Sequence, residues 1–178
     1  MARDWQPALP AGTLRAIILH WTAGDYDTVY PAYHFCLSGA ADVRVHATHD
    51  LRANMRDLRL DRAGGYAAHT QGRNSFAAGI ALCAMQAATP HDFAAFPLTR
   101  AHVDALCLVA ARIVRHYGVP LANVRTHAEA ALDDGYFGAA GEHERWDIAR
   151  LSASAQPLAA AEAVALGQRL RRQIAERC

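Results

Sequence analysis

Lysine is absent from this sequence. All 18 basic side chains are arginine, and against 17 Asp and Glu they leave a formal net charge of +1. The missing lysine, beside heavy alanine usage, reads as codon bias from a GC-rich genome rather than as function, although it bears on one site below. So even a charge balance carries no electrostatic footprint for nucleic acid or an anionic membrane surface, and no nucleic-acid partner is expected. Long apolar runs are also missing: none approaches the ~18 residues a membrane-spanning helix needs. With 52% hydrophobic and 20% charged residues the chain is too apolar for a disordered segment. Metal-type C-x-x-C spacing does not occur. Cys36, Cys83, Cys107 and Cys178 are scattered, three of them in apolar runs, which is the pattern of reduced core thiols. Met1 to Leu14 carries Arg3, Asp4, Pro7 and Pro10 and no apolar segment of the kind that opens a secretory signal, so synthesis in the cytoplasm is expected. There is no internal repeat and no low-complexity linker. A length of 178 residues suits one core, hence one domain over 1–178.

What is present is a succession of short apolar runs and two helical stretches. Leu14 to His20, bounded by Gly12 and Gly24, has the pattern of a buried strand. Tyr33 to Leu37 and Asp42 to Ala47, joined by Ser38-Gly39-Ala40, predict an antiparallel hairpin. Thr48 to Ser75 is polar and glycine-containing, with one short helix near Leu51 to Leu58; long irregular connections of this kind are usually functional. Phe76 to Met85 predicts another buried strand, and Leu121 to Thr126 a further one. Leu98 to Tyr117 is the clearest helix, with Thr99 as N-cap, Leu98 and Val103 placed as a hydrophobic staple, and Gly118 and Pro120 as its stop. A C-terminal helix is expected at about 156–177. Strand, hairpin, strand, helix, strand and helix in this order predict an α/β fold, a central mixed sheet flanked by helices.

Ten histidines are too many for each to be a ligand. His46, His49, His91, His102, His116 and His143 have no partnered motif and read as structural or solvated. His20 and His127 each close an apolar strand, where an α/β sheet presents its chemistry to a cleft. Two imidazoles at strand ends with a carboxylate from a later loop make the open three-ligand set of a catalytic zinc site, and Asp147 is a candidate for the third ligand.

Four stretches resemble one family. Ile17-Ile18-Leu19-His20-Trp21-Thr22-Ala23-Gly24 is similar to the "hydrophobic strand, His, x, Thr/Ser, Ala" opening of the zinc-dependent N-acetylmuramoyl-L-alanine amidases, the superfamily of amidase-type phage lysozymes, autolysins and peptidoglycan recognition proteins. Tyr33-His34-Phe35 resembles the Y-H-F hairpin of the phage enzymes. Ala68-His69-Thr70-x-Gly72-x-Asn74, followed by Gly79-Ile80-Ala81-Leu82, resembles the "HAGG-x-N … IGIEL" stretch. Thr126-His127-x-Glu129 and Arg145-Trp146-Asp147 resemble the "GH-x-D/E … K-x-D" ending. These matches stand in family order from Leu14 to Leu151.

The resemblance implies that His20, His127 and Asp147 hold Zn2+, with water in the fourth position, and that the chain hydrolyses the amide between N-acetylmuramic acid and L-alanine in peptidoglycan. Tyr33 matches the tyrosine that contacts the reacting water or oxyanion. Arg145 stands where most members have lysine and would stabilise the tetrahedral intermediate electrostatically. A guanidinium is not a proton donor in turnover, so this is not a neutral exchange. Ala81 replaces the glutamate base of some members, as in the phage-type branch. Asp133, Asp134, Glu142 and Glu144 are rival carboxylates, and the order Arg-x-Asp before an apolar residue favours Asp147. His69 and Asn74 are placed near the substrate groove, with a loop-stabilising role for His69 as the rival. Glu129 is either a partner of the metal ligands or an acidic residue in a helix's first turn.

Arg169, Arg171, Arg172 and Arg177 read as the solvated face of the C-terminal helix; a sharper reading is attraction to an anionic envelope. The resulting expectation is a monomeric phage or prophage endolysin, made in the cytoplasm and reaching the wall through holin-type release. The alternatives are a cytoplasmic muropeptide-recycling amidase, which the loss of the glutamate disfavours, and a non-catalytic peptidoglycan-binding module, which the three filled ligand positions disfavour.

Overall fold

The isoleucine- and leucine-rich run after Gly12 becomes β1 (Ala16–Trp21), the strand around which the sheet is built. A computed structural model describes Trp5, residues 8–138 and residues 145–178. Glu142, His143 and Glu144, and Met1, Arg3, Asp4 and Pro7 of the N-terminal stretch, lie outside the described residues.

The expected hairpin forms from β2 (Phe35–Ser38) and β3 (Arg44–Ala47), and Phe76 to Met85 contracts to β4 (Ala77–Leu82). Helix α1 (Arg100–Tyr117) follows, then β5 (Val124–Thr126), α2 (His127–Asp133) and α3 (Ala160–Ala175). The sheet runs β3-β2-β4-β1-β5. β1 is parallel to β4 and β5, β2 is parallel to β4, and only the hairpin is antiparallel, so the sheet is mixed, as the sequence predicts.

Both faces of the inner strands are covered, which is why β1 and β4 read as continuous apolar runs rather than alternating ones. On one face Ile17, Leu19, Phe35, Leu37, Ile80 and Leu82 pack with Leu106, Ile113, Leu170 and Ile174 of α1 and α3. On the other face His20, Ala81 and Cys36 stand in one row across three strands, because His20 and Cys36 are both register partners of Ala81. Cys36, Cys83 and Cys107 are buried thiols and Cys178 is exposed, in line with the sequence reading.

Helix α1 is capped as its sequence predicts. Thr99 Oγ1 accepts the His102 N–H at 3.1 Å, and the Thr99 N–H is donated to His102 Nδ1 at 3.3 Å. This makes His102 a buried capping residue in the position usually held by Glu or Gln. Gly118 ends the helix at φ 65, a left-handed conformation that favours glycine.

Three expectations need correction. Leu121–Asn123, expected as the first half of the last strand, is a 3-10 turn, and only Val124–Thr126 pairs in the sheet. The short helix near Leu51 to Leu58 is a single 3-10 turn, Leu51–Asn54. The solvated arginine face of α3 holds for Arg169 and Arg172, but Arg171 turns inward to Glu129 and Arg177 pairs with Asp104 at 3.1 Å. Among the described residues no helix is long and apolar enough to cross a membrane.

Candidate metal centre

Parallel pairing brings the first two residues of the centre together. β1 lies beside β5 with Leu19 opposite Thr126, so His20 on β1 and His127, directly after β5, stand at the same end of the sheet. His127 is the first residue of α2, and the turn into that helix is fixed by a capping box. Thr126 Oγ1 accepts the Glu129 N–H at 3.1 Å, and Glu129 Oε2 accepts the Thr126 N–H at 3.0 Å. Glu129 is therefore a cap for the helix that carries His127. It is held in turn by Arg171 through both carboxylate oxygens, at 2.9 Å each. Asp147 arrives from the later loop, and its backbone carbonyl accepts the Ala128 N–H at 2.5 Å, which ties that loop to the start of α2.

The carboxylate of Asp147 joins both rings. Its Oδ2 lies 3.0 Å from His20 Nδ1 and its Oδ1 lies 2.6 Å from His127 Nδ1. His20 and Asp147 are 1% and 2% exposed, and the two imidazole centroids are 4.8 Å apart. Burial holds the His20 imidazole below its ordinary range, a pull that the Asp147 bond opposes only in part. Burial by itself would raise the Asp147 carboxyl, but the charge and hydrogen bond of His127 and the bond to His20 outweigh it and keep the group ionised. Candidate ligand atoms of His20, His127 and Asp147 all lie within 4.8 Å of one another, with no other such cluster among the described residues.

Two imidazole nitrogens and one carboxylate in a buried pocket fit a divalent zinc ion with an open coordination position. The two rival acids among the described residues are engaged elsewhere: Asp134 receives Arg73 at 2.6 and 2.7 Å, and Asp133 receives Arg125 at 2.9 Å.

Tyr33 lies in the loop before β2, its ring 5.1 Å from that of His20, and its hydroxyl donates to the Trp21 carbonyl at 3.3 Å. Arg145 holds its guanidinium 4.8 Å over the ring centroid of Tyr136. His69 is only 7% exposed, 5.4 Å from the His20 ring, with Nδ1 at 3.0 Å from Thr70 Oγ1. That placement displays the loop hydrogen bond, behind the site rather than on an open wall. Asn74 accepts the Thr70 N–H at 2.9 Å and lines a surface groove with Arg59, Arg62, Tyr66 and Gln71. Ala81 stands between His20 and Cys36, so no carboxylate occupies that row of the sheet.

Two hydroxyls at the centre escape sequence reasoning. Thr70 Oγ1 lies 3.2 Å from His20 Nε2, and Tyr136 OH lies 3.2 Å from His127 Nε2. The available signal was a substitution: Thr70 takes the alanine position of the "HAGG" stretch. Tyr136 carried none, because its partner is set by how the chain turns after α2.

The family model described as N-acetylmuramoyl-L-alanine amidase matches residues 10–147. Among solved structures, the complex of the N-acetylmuramyl-L-alanine amidase AmiD from E. coli with the substrate anhydro-N-acetylmuramic acid-L-Ala-D-gamma-Glu-L-Lys is similar over 71% of this chain, at 19% identity and a TM-score of 0.46. The match covers 52% of that enzyme, so this chain spans about half its length. No curated protein matches the sequence.

Proposed function

The chain belongs to the N-acetylmuramoyl-L-alanine amidase family, and from that premise we propose that it hydrolyses the amide between N-acetylmuramic acid and L-alanine in peptidoglycan, using zinc held by His20, His127 and Asp147. The observation that carries this reading is the convergence of His20 and Asp147, 127 positions apart in sequence, with His127 on one buried carboxylate. When bound there, zinc would supply Lewis acidity toward the scissile carbonyl and the hydrolytic water.

The remaining roles fall to the chain's own side chains. Asp147 anchors both imidazoles and remains an anion in a pocket where an uncompensated charge would be costly. Tyr33, beside His20, offers a hydroxyl that can donate a hydrogen bond to a developing oxyanion. Arg145, steadied by the Tyr136 ring, places a permanent positive charge near the same centre and stabilises the tetrahedral stage without giving up a proton. Asn74 lines the groove that would receive the muramoyl-peptide, and His69 supports that loop from behind.

Ala81, in place of the glutamate, together with the Tyr33-His34-Phe35 hairpin, supports a phage-type endolysin acting on the wall after holin-type release. Induction of the protein inside a bacterium should leave cells intact until the inner membrane is permeabilised; lysis without permeabilisation would count against that localisation. The activity itself is tested by digesting purified peptidoglycan while following new L-alanine amino termini and new reducing ends separately. Amino termini that vanish with chelator and return with zinc are expected. New reducing ends alone, or no new ends from zinc-loaded protein, would refute the amidase reading.

A further inference from the structure

An imidazole has two nitrogens, and which one meets a metal is set by the hydrogen bond made at the other. At this centre the same arrangement occurs twice. His20 Nδ1 and His127 Nδ1 face Asp147, at 3.0 and 2.6 Å, while His20 Nε2 and His127 Nε2 each meet a hydroxyl at 3.2 Å. The hydroxyls come from unrelated segments, Thr70 lying 50 positions beyond His20 and Tyr136 nine beyond His127. We propose that Thr70 and Tyr136 are positioning residues that hold both histidines with Nδ1 as the ligating atom. This rests on the zinc reading above.

The choice of hydroxyls has a chemical reason. A hydroxyl both donates and accepts, whereas a carbonyl or carboxylate only accepts. Without metal, each Nδ1–H is donated to an oxygen of Asp147, and Thr70 and Tyr136 donate to the two Nε2 atoms. With metal, each Nδ1 must offer its lone pair, so its hydrogen is carried on Nε2 instead and the same hydroxyls accept it. Each ring keeps a partner at both nitrogens in either state, and the rings do not have to turn. Thr70 then directs its own hydrogen to His69 Nδ1, 3.0 Å away, which gives that buried ring a place in the chain of bonds. On the other side the Tyr136 ring is held under the Arg145 guanidinium.

The test is zinc affinity, measured by competition with a chromophoric chelator, in Thr70→Val, Thr70→Ser and Tyr136→Phe. Valine keeps the volume of threonine, serine restores the hydroxyl, and phenylalanine keeps the ring beneath Arg145. Thr70→Val and Tyr136→Phe should each weaken zinc binding by about 10- to 100-fold, with Thr70→Ser close to wild type. Unchanged affinity in both hydroxyl-deleted variants would overturn the proposal. Nitrogen-15 NMR of histidine-labelled protein gives a readout independent of affinity and of turnover. In metal-free protein, hydrogens are expected on Nδ1 of His20 and His127; after zinc addition they are expected on Nε2, with Nδ1 shifted by the metal. Ligation through Nε2, or hydrogens on Nε2 before zinc is added, would refute it. A wild-type protein that shows the Nδ1–H forms but takes up no zinc would instead sink the zinc reading on which the proposal rests.

Discussion

Arg171 on the last helix grips Glu129 through both carboxylate oxygens at 2.9 Å each, two residues after His127. The contact is tight enough that Gly167, one turn earlier on α3, is required: a Cβ there would collide with the Glu129 carboxylate. Glu129 caps the helix on which His127 stands, so α3 buttresses the centre through that cap.

Arg171→Ala leaves the buried Glu129 carboxylate only its longer 3.8 Å pair with Arg125, and removing the close partner of such a buried pair costs up to about 3–5 kcal/mol. Urea denaturation at neutral pH should show that loss in the midpoint with little change in slope. Glu129→Gln combined with Arg171→Met, which removes both charges, should cost clearly less than Arg171→Ala alone. A double variant as unstable as the single one would show that the ion pair is not what α3 contributes.

Gly79 and His69 are the second close approach. A Cβ on Gly79 would lie 2.5 Å from His69 Cγ, in the middle of β4, where the sheet leaves no room to retreat. Gly79→Ala should therefore destabilise the fold by about 1–3 kcal/mol, as overpacked cores do. Displacement of His69 should also disturb Thr70 and, through it, His20. The check is thermal unfolding together with the histidine ring signals; an alanine variant with wild-type stability and unshifted His20 and His69 signals would show that the ring has space to move.

The sheet was legible because β1 and β4 bury both faces and therefore read as unbroken apolar runs, and α1 because Thr99 and Gly118 mark its two ends. Helix α2 was hidden: seven residues directly after β5 leave no room for a 3.6-residue period to show, and only the Thr126-x-x-Glu129 pattern signals its start. The sequence pointed to His20, His127 and Asp147, and the fold brings them within one pocket. What it could not display is how each imidazole is turned, since that depends on Thr70 and Tyr136, brought in by loops whose course no local pattern encodes. Arg171 was misread for a related reason: in a helix with several arginines, only the position of Glu129 decides which one turns inward.

Acid should weaken this protein through histidines outside the centre. Burial, with His49 nearby, pushes the His34 imidazole down to about 3, and burial pushes His102 down to about 4. In both, Nδ1 accepts a backbone N–H, from Gly79 at 3.0 Å and from Thr99 at 3.3 Å, an arrangement an imidazolium would break. In the unfolded chain the same rings protonate near their ordinary 6.5. Below that pH the unfolded state binds protons that the folded state refuses, so this stability is complete above about 6.5 and falls as the pH drops toward 4 and 3. Each histidine contributes a slope of up to about 1.4 kcal/mol per pH unit. Denaturation midpoints measured from pH 7.5 to 5 should decline on the acid side. His102→Gln, which preserves the capping box, should make the decline shallower. A midpoint independent of pH in this window would mean that the buried rings take up protons in place.

Arg145 separates two ways in which a cation can serve this reaction. If its charge acts on the oxyanion, the interaction exists only in the transition state, and Arg145→Ala lowers kcat while leaving KM near its wild-type value. Loss of one such electrostatic partner typically costs about 10²–10³ in kcat. Arg145→Lys keeps the charge but gives up the planar face that rests on Tyr136, so it should recover part of the rate and not all of it. Tyr33→Phe should behave like Arg145→Ala in kind, because its hydroxyl is assigned to the same developing charge from the His20 side of the pocket. Steady-state kinetics on a soluble muramoyl-peptide at saturating zinc decides the matter. A rise in KM at constant kcat for Arg145→Ala would make Arg145 a binding group for the anionic peptide, and the oxyanion role would then rest on Tyr33 and the metal alone.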